Sequence, residues 1–229
     1  MVTKEQFETL LAEDVFECVP EYRESNSVEP GGPFSDHVSW AVWREETEGL
    51  KPVKASNDKS ILSFFELLEG EIHTNVILVA LNSGKRINPD KDDWAWSTFH
   101  SGPRDYFLSR ALKGTRISGA YMTDIFKGLP TRTGADLLKE NKSLSTEERA
   151  SRFQAMKTIF NREMEILGVG SVEQIVCLGD DTYAAFDEMF KGERNYVKAT
   201  HYSKQGISKE AYNEEMSSLD ERLFGKTSF

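Results

Sequence analysis

The sequence predicts an α/β protein: a three-layer α/β/α sandwich around a central, mainly parallel sheet of four strands, with a helical N-terminal extension. Two observations carry this expectation. Short, continuous apolar runs recur, as in NVILVAL at 75–81 and EQIVCLG at 173–179, the mark of strands buried on both faces of a sheet. Segments with helical spacing separate them, and strand–helix alternation of this kind builds a parallel sheet covered by helices.

The elements follow in order. Residues 3–17 carry Phe7, Leu10, Leu11, Asp14 and Val15 at helical spacing and read as an amphipathic helix. Residues 20–33 are rich in Glu, Ser, Pro and Gly and read as a loop. SDHVSWAVWREE reads as a second helix capped by Ser35 or Asp36. A loop at 50–58 leads to a third helix, SILSFFELLEGE, and then to the strand Val76–Leu81. YFLSRALK is a helix and GAYMTDI a strand. TEERASRFQAMKTIFNREMEIL is a long helix opened by Ser145 in a capping-box pattern. IVCL is a strand, TYAAFDEMF a helix whose N-terminus Asp180 and Asp181 suit as caps, and NYVKATHYS a fourth strand. With no repeat and no clear linker, residues 1–229 read as one domain, with an extension at 1–60 and the core at 75–205.

Composition narrows the function classes. Cys18 and Cys177 are the only cysteines and form no CxxC pair, so cysteine-based zinc or iron–sulfur sites are not expected, nor is any other metal or cofactor. Two isolated cysteines, no signal-peptide pattern and no apolar run of membrane-spanning length lead to the expectation of a cytoplasmic protein without membrane contact. The formal net charge of −10 argues against a general nucleic-acid binder. The charge is uneven, however. Residues 84–142 hold 11 basic and 7 acidic side chains, a balance of +4, while the stretches on either side are acidic.

In parallel sheets, ligands bind beyond the carboxyl ends of the strands. The loops there read LNSGK, FKGLPTRTG, GDDTY and THYSKQG. NSGK is not a phosphate-binding P-loop, because Val79 stands where that frame requires glycine. Four segments in order, ALNSG, FHSGPRDYFLSRAL, YMTDIFKGLP and THYS, resemble the uracil-DNA glycosylase superfamily, in the style of its mismatch-specific branch. The resemblance spans roughly residues 75–205. It implies a sheet order 2-1-3-4 and a base-excision glycosylase that hydrolyses the N-glycosidic bond of a deaminated, uracil-like base flipped from DNA.

The resemblance assigns roles residue by residue. Asn82 would position the attacking water, and His201 would stabilise charge on the departing base. Phe99 would stack on the base and Asp124 would face its edge. Ser83, Gly84 and Ser203 would hold the nucleotide closely. Lys85, Arg86 and Arg132 would supply DNA contacts from the basic segment. The family pattern has proline where Ser83 and Tyr202 stand, and asparagine where Asp124 stands. An ionised Asp only accepts hydrogen bonds, so it suits an amino group better than the O4 of uracil. A second reading therefore stays open: a relative of the same fold that binds a nucleotide, nucleic acid or protein partner and cleaves nothing. Plainer roles also exist. Asn82 suits a turn, Asp124 a loop cap, His201 a structural position, and Trp94 and Trp96 the core.

Overall fold

A computed structural model describes residues 2–26, 31–46, 51–84, 95–131, 133–170 and 174–226. The elements run α1 (Lys4–Ala12), α2 (Pro20–Ser25), β1 (Val38–Trp40), α3 (Pro52–Ser56), β2 (His73–Gly84), α4 (Asp105–Leu112), β3 (Ala120–Thr131), α5 (Gly134–Ser143), α6 (Thr146–Ile166), β4 (Gln174–Leu178), α7 (Asp180–Phe190), β5 (Tyr196–Ala199) and α8 (Lys209–Phe224). The fold class is α/β.

The sheet has five strands in the order β1-β3-β2-β4-β5 and is mixed, not the four-stranded sheet expected. β2, β3, β4 and β5 pair in parallel, and β1 joins the β3 edge antiparallel, with Val38 opposite Thr123 and Trp40 opposite Tyr121. β1 lies within the segment expected to be the second helix. The chain instead makes a 3-10 turn at Phe34–Asp36 and then extends. Val38 and Trp40 join the core on one side of the sheet and Ala41 joins it on the other, a two-residue alternation that the surrounding apolar residues hide. The N-terminal part is therefore not simply an appended helical unit. It supplies an edge strand, and Phe7 and Leu10 of α1 enter the same core.

Alternation along the strands divides the interior in two. Ile77, Val79, Tyr121, Ile175 and Cys177 pack with Ile159 and Phe160 of α6 and Phe186 and Phe190 of α7. Val76, Leu78, Met122, Val176 and Leu178 pack with Leu108 and Leu112 of α4 and Tyr212 and Met216 of α8. Helices thus cover both faces. Each fully buried aliphatic or aromatic side chain of this kind contributes about 1.5–3 kcal/mol relative to exposure.

Local chemistry sets the helix ends. Ser145 accepts from the backbone N–H of Glu148, and the Glu148 carboxylate accepts from the N–H of Ser145, the expected capping box of α6. Thr3 and Gln6 build a second box on α1, which stops at Ala12 rather than 17. Gly179 is the cap of α7, so Asp180 and Asp181 occupy its first turn and not the cap position. Carboxylates there face the positive end of the helix dipole. SILSFFELLEGE is two 3-10 turns, Ser60–Leu62 and Phe65–Leu67, rather than an α-helix. Its buried residues, Leu62, Phe65 and Leu68, recur every three positions, the period of a 3-10 turn. The short helices α2 and α3 fall in segments expected to be loops, each started by a proline in its first turn. Among the described residues no helix is long and apolar enough to cross a membrane.

Candidate functional site

The parallel strands β2–β5 end on one edge of the sheet; of the residues singled out in the sequence, Asn82 lies on β2, Asp124 on β3, and His201 and Ser203 just beyond β5. On β2, Asn82 lies two residues beyond Ala80, which pairs with Asp124 of β3. The Asn82 amide donates through Nδ2 to Thr131 Oγ1 at 2.9 Å, and Thr131 Oγ1 donates in turn to the carbonyl of Thr133 at 2.8 Å. This bond ties the Asn82 amide to the end of β3. Ser83 continues the same strand, and Gly84 pairs with Thr131 after a register shift. Lys85, Arg86, Arg132 and Trp94 lie outside the described residues.

Asp124 is buried on the face that packs against α4 and α8. Its backbone is held from both sides: its N–H donates to the His37 carbonyl at 3.3 Å, and its carbonyl accepts from Lys127 Nζ. Lys127 reaches across from the other face. There it is fully buried beside Glu163, with Nζ 2.7 Å from Oε2. Glu163 Oε1 accepts from Tyr121 OH at 2.8 Å and Thr123 Oγ1 at 2.7 Å. Burial, reinforced by the carboxylate, pushes the Tyr121 phenol well above its ordinary range.

The β5 loop carries His201, Tyr202 and Ser203. Ser203 donates its backbone N–H to His201 Nδ1 at 3.1 Å, and its hydroxyl lies 2.7 Å from the same atom. Nδ1 is therefore an acceptor, and the imidazole proton sits on Nε2. Burial pushes the His201 pKa down to about 4, so the ring is neutral at physiological pH. The ring packs on Gly179, where the left-handed backbone (φ 96°) has no side chain. A Cβ built there would meet His201 Cβ at 3.2 Å.

Tyr202 drew attention in the sequence only because the resembled family has proline at that position. In the fold it joins the other motifs. Its ring stacks on His201 at 4.5 Å and lies 6.5 Å from Phe99. Burial, reinforced by the nearby Asp105 carboxylate, holds its phenol well above the ordinary range. Asp105 also accepts from the N–H groups of Ser101 at 2.9 Å and Gly102 at 2.6 Å, the turn that follows Phe99. Phe99 is itself buried, in the left-handed region at φ 65°, as is Trp96 at φ 61°. Such backbone is strained for an aromatic residue and persists only where surrounding contacts impose it. Trp96 belongs to the core, 4.6 Å from Phe7.

Phe99 and His201 thus meet at the Tyr202 ring and Ser203 holds His201, while Asn82 is tied to Thr131 at another strand end. Tyr202, Asp105, Lys127 and Glu163 are additions that sequence reasoning missed. A partial signal existed for Glu163, which stands in the apolar stripe Met156, Ile159, Phe160, Met164 of α6. No cluster of three or more metal-ligating side chains occurs among the described residues. No protein-family model matches the chain, and no curated protein shows significant similarity to it.

Proposed function

We propose that this protein is a base-excision glycosylase of the uracil-DNA glycosylase type, hydrolysing the N-glycosidic bond of a base turned out of DNA. The observation that carries the reading is the state of His201. A neutral imidazole with its proton fixed on Nε2 is a donor suited to a base carbonyl on which negative charge develops as the glycosidic bond breaks. Asn82 supports the other half of the reaction. Held at the end of β2 by its bond to Thr131, Asn82 is the polar group assigned to position the attacking water toward C1′ of the sugar. The run of the four parallel strands, β3-β2-β4-β5, corresponds to the 2-1-3-4 order implied by the resemblance. Phe99 and Asp124 lie on the side of the sheet where a base would enter.

The test is alkali-labile strand cleavage of uracil-containing oligonucleotides, a readout of abasic sites. Wild-type protein is expected to produce them. Asn82→Ala is expected to lower the rate at least 100-fold, on the order of the loss seen when a positioned group is removed. Equal cleavage by the two proteins removes Asn82 from the mechanism. A second reading, binding of a nucleotide without cleavage, is favoured by the acidic group at the base edge. It gains if wild-type protein binds bases but releases none from any oligonucleotide.

A further inference from the structure

We infer that the N-terminal segment at 35–43, with Lys59, is a template that sets the backbone of the loop at 95–100, and that Trp43 and Lys59 are positioning residues for Phe99. Phe99 as the ring that meets the base rests on the proposed function; the template itself stands on geometry. The N-terminal part lies outside the family resemblance, yet it is hydrogen-bonded to each of the six residues of this loop. Trp96 donates its backbone N–H to the Ser35 carbonyl at 2.7 Å, and its carbonyl accepts from Ser39 Oγ at 3.3 Å. Thr98 Oγ1 donates to the Asp36 carbonyl at 3.3 Å, and His100 donates through Nε2 to the Trp40 carbonyl at 3.3 Å. Trp43 Nε1 donates to the Phe99 carbonyl at 3.4 Å. Lys59 Nζ closes the set, donating to the Ala95 carbonyl at 2.9 Å and to Ser97 Oγ at 3.1 Å.

The placement of these bonds gives them meaning. Among the described residues, Trp96 and Phe99 are the non-glycine residues with left-handed backbone, and in each the carbonyl accepts from an N-terminal side chain. Strain of this kind persists only where contacts over-determine it. The template supplies those contacts on one side of Phe99, and the Asp105 carboxylate, accepting from Ser101 and Gly102, supplies them on the other. The template is itself fixed, because β1 pairs with β3 and the His37 carbonyl accepts from the Asp124 N–H. One segment thus registers Phe99 against the strand that carries Asp124. Lys59 is half-buried, and bonds from an ionised donor are the stronger kind, so it carries a large share of the restraint.

The test reads the loop without substrate. NMR of ligand-free wild type, Lys59→Met and Trp43→Phe gives the Phe99 Cα and Cβ shifts, which distinguish left-handed from extended backbone. It also gives amide exchange at His100, whose N–H closes the turn on the Ser97 carbonyl at 3.0 Å. If the template operates, one or both substitutions move Phe99 off its left-handed shifts and speed exchange at His100 about tenfold, the scale of one lost side-chain hydrogen bond. Exchange at Val79 in the core of β2 stays as in wild type. Unchanged Phe99 shifts and His100 exchange in both variants overturn the inference. So does exchange that speeds equally at Val79, the mark of a general loss of stability. Thr98→Val, which removes one hydroxyl, takes the place of a variant that fails to fold. Absence of base release from every oligonucleotide defeats the proposed function and leaves the template standing. Where release occurs, Lys59→Met is expected to raise KM more than it lowers kcat, because a displaced Phe99 ring weakens binding of the base.

Discussion

The two faces of the sheet treat buried carboxylates differently. On the α6 face, Glu163 meets a cation: Lys127 lies 2.7 Å away and both side chains are fully buried. On the α4/α8 face, Asp105 is met by the backbone N–H groups of Ser101 and Gly102, and burial raises its pKa. Among the described residues, Lys127 is the one buried lysine or arginine. A carboxylate neutralised by a cation in a dry interior has one good arrangement. A carboxylate held by neutral backbone donors takes its partners from a loop, here the turn at Ser101 and Gly102. The first face therefore reads as fixed scaffold and the second as the working surface. The scaffold reaches the site at one point, where Lys127 donates to the carbonyl of Asp124.

The sharpest way to break this comparison is to remove one half of the buried ion pair. Glu163→Ala leaves Lys127 charged and unmatched, and Tyr121 and Thr123 lose their acceptor. A loss of about 3–5 kcal/mol of folding stability is expected from chemical denaturation. The double substitution Lys127→Met, Glu163→Leu removes both charges and is expected to recover most of that loss. If the double variant is as unstable as the single one, Lys127 and Glu163 do not act as a pair. If it is stable yet alters the site, the contact to Asp124 is what the pair contributes.

The next effect concerns the histidines near the working surface. His100 is buried beneath Trp43 and accepts no exposure to water, and its pKa falls from 6.5 to about 4. His201 falls to about 4 for the same reason. For both, the folded state binds its proton less readily than the unfolded chain. Their contribution is therefore complete above about pH 6.5 and is lost as pH falls through about 4. For fully buried His100 the drop corresponds to about 3 kcal/mol. Asp105 works in the opposite sense, since its folded pKa is raised and acidification favours its protonated folded form. Urea denaturation at pH 7, 5.5 and 4.5 should show stability falling with pH, and His100→Asn should flatten the slope. An unchanged slope would place the acid sensitivity elsewhere.

How much of this was legible in the sequence depended on whether the pattern was local. The parallel strands announced themselves because Val76–Leu81 and Ile175–Leu178 are continuous apolar runs. The capping box at Ser145 was legible because four adjacent residues build it. β1 was not, because Val38, Trp40, Ala41, Val42 and Trp43 satisfy helical spacing as well as alternation, and pairing with a strand some eighty residues later decides between them. The same distance hid the site's supports. Asn82, His201 and Asp124 stood out at strand ends, but Tyr202 gains its place beside Phe99, and Lys127 its place beside Glu163. Side-chain chemistry shared across distant segments leaves no trace in either segment alone.

The smallest change on the working surface should give the most specific answer. Asp124→Asn alters one atom's identity at a buried position, and the backbone there is held by His37 and Lys127 in either case. Folding stability should move by less than about 1 kcal/mol, the usual scale for a near-isosteric change whose backbone contacts persist. Base preference should move more. A carboxylate accepts from an amino group but repels a carbonyl, whereas an amide side chain can donate to one and accept from a ring N–H. Wild-type protein is thus expected to prefer amino-bearing bases, such as cytosine or adenine, over uracil. Asp124→Asn should shift the ratio toward uracil by roughly 5- to 150-fold, the equilibrium equivalent of matching or mismatching one buried polar group. The measurement is binding of a panel of free bases, with single-lesion oligonucleotides alongside. A ratio that does not move shows that Asp124 faces no base. In that event its burial is explained by the scaffold alone, and the division between the two faces must be drawn on the other side of β3.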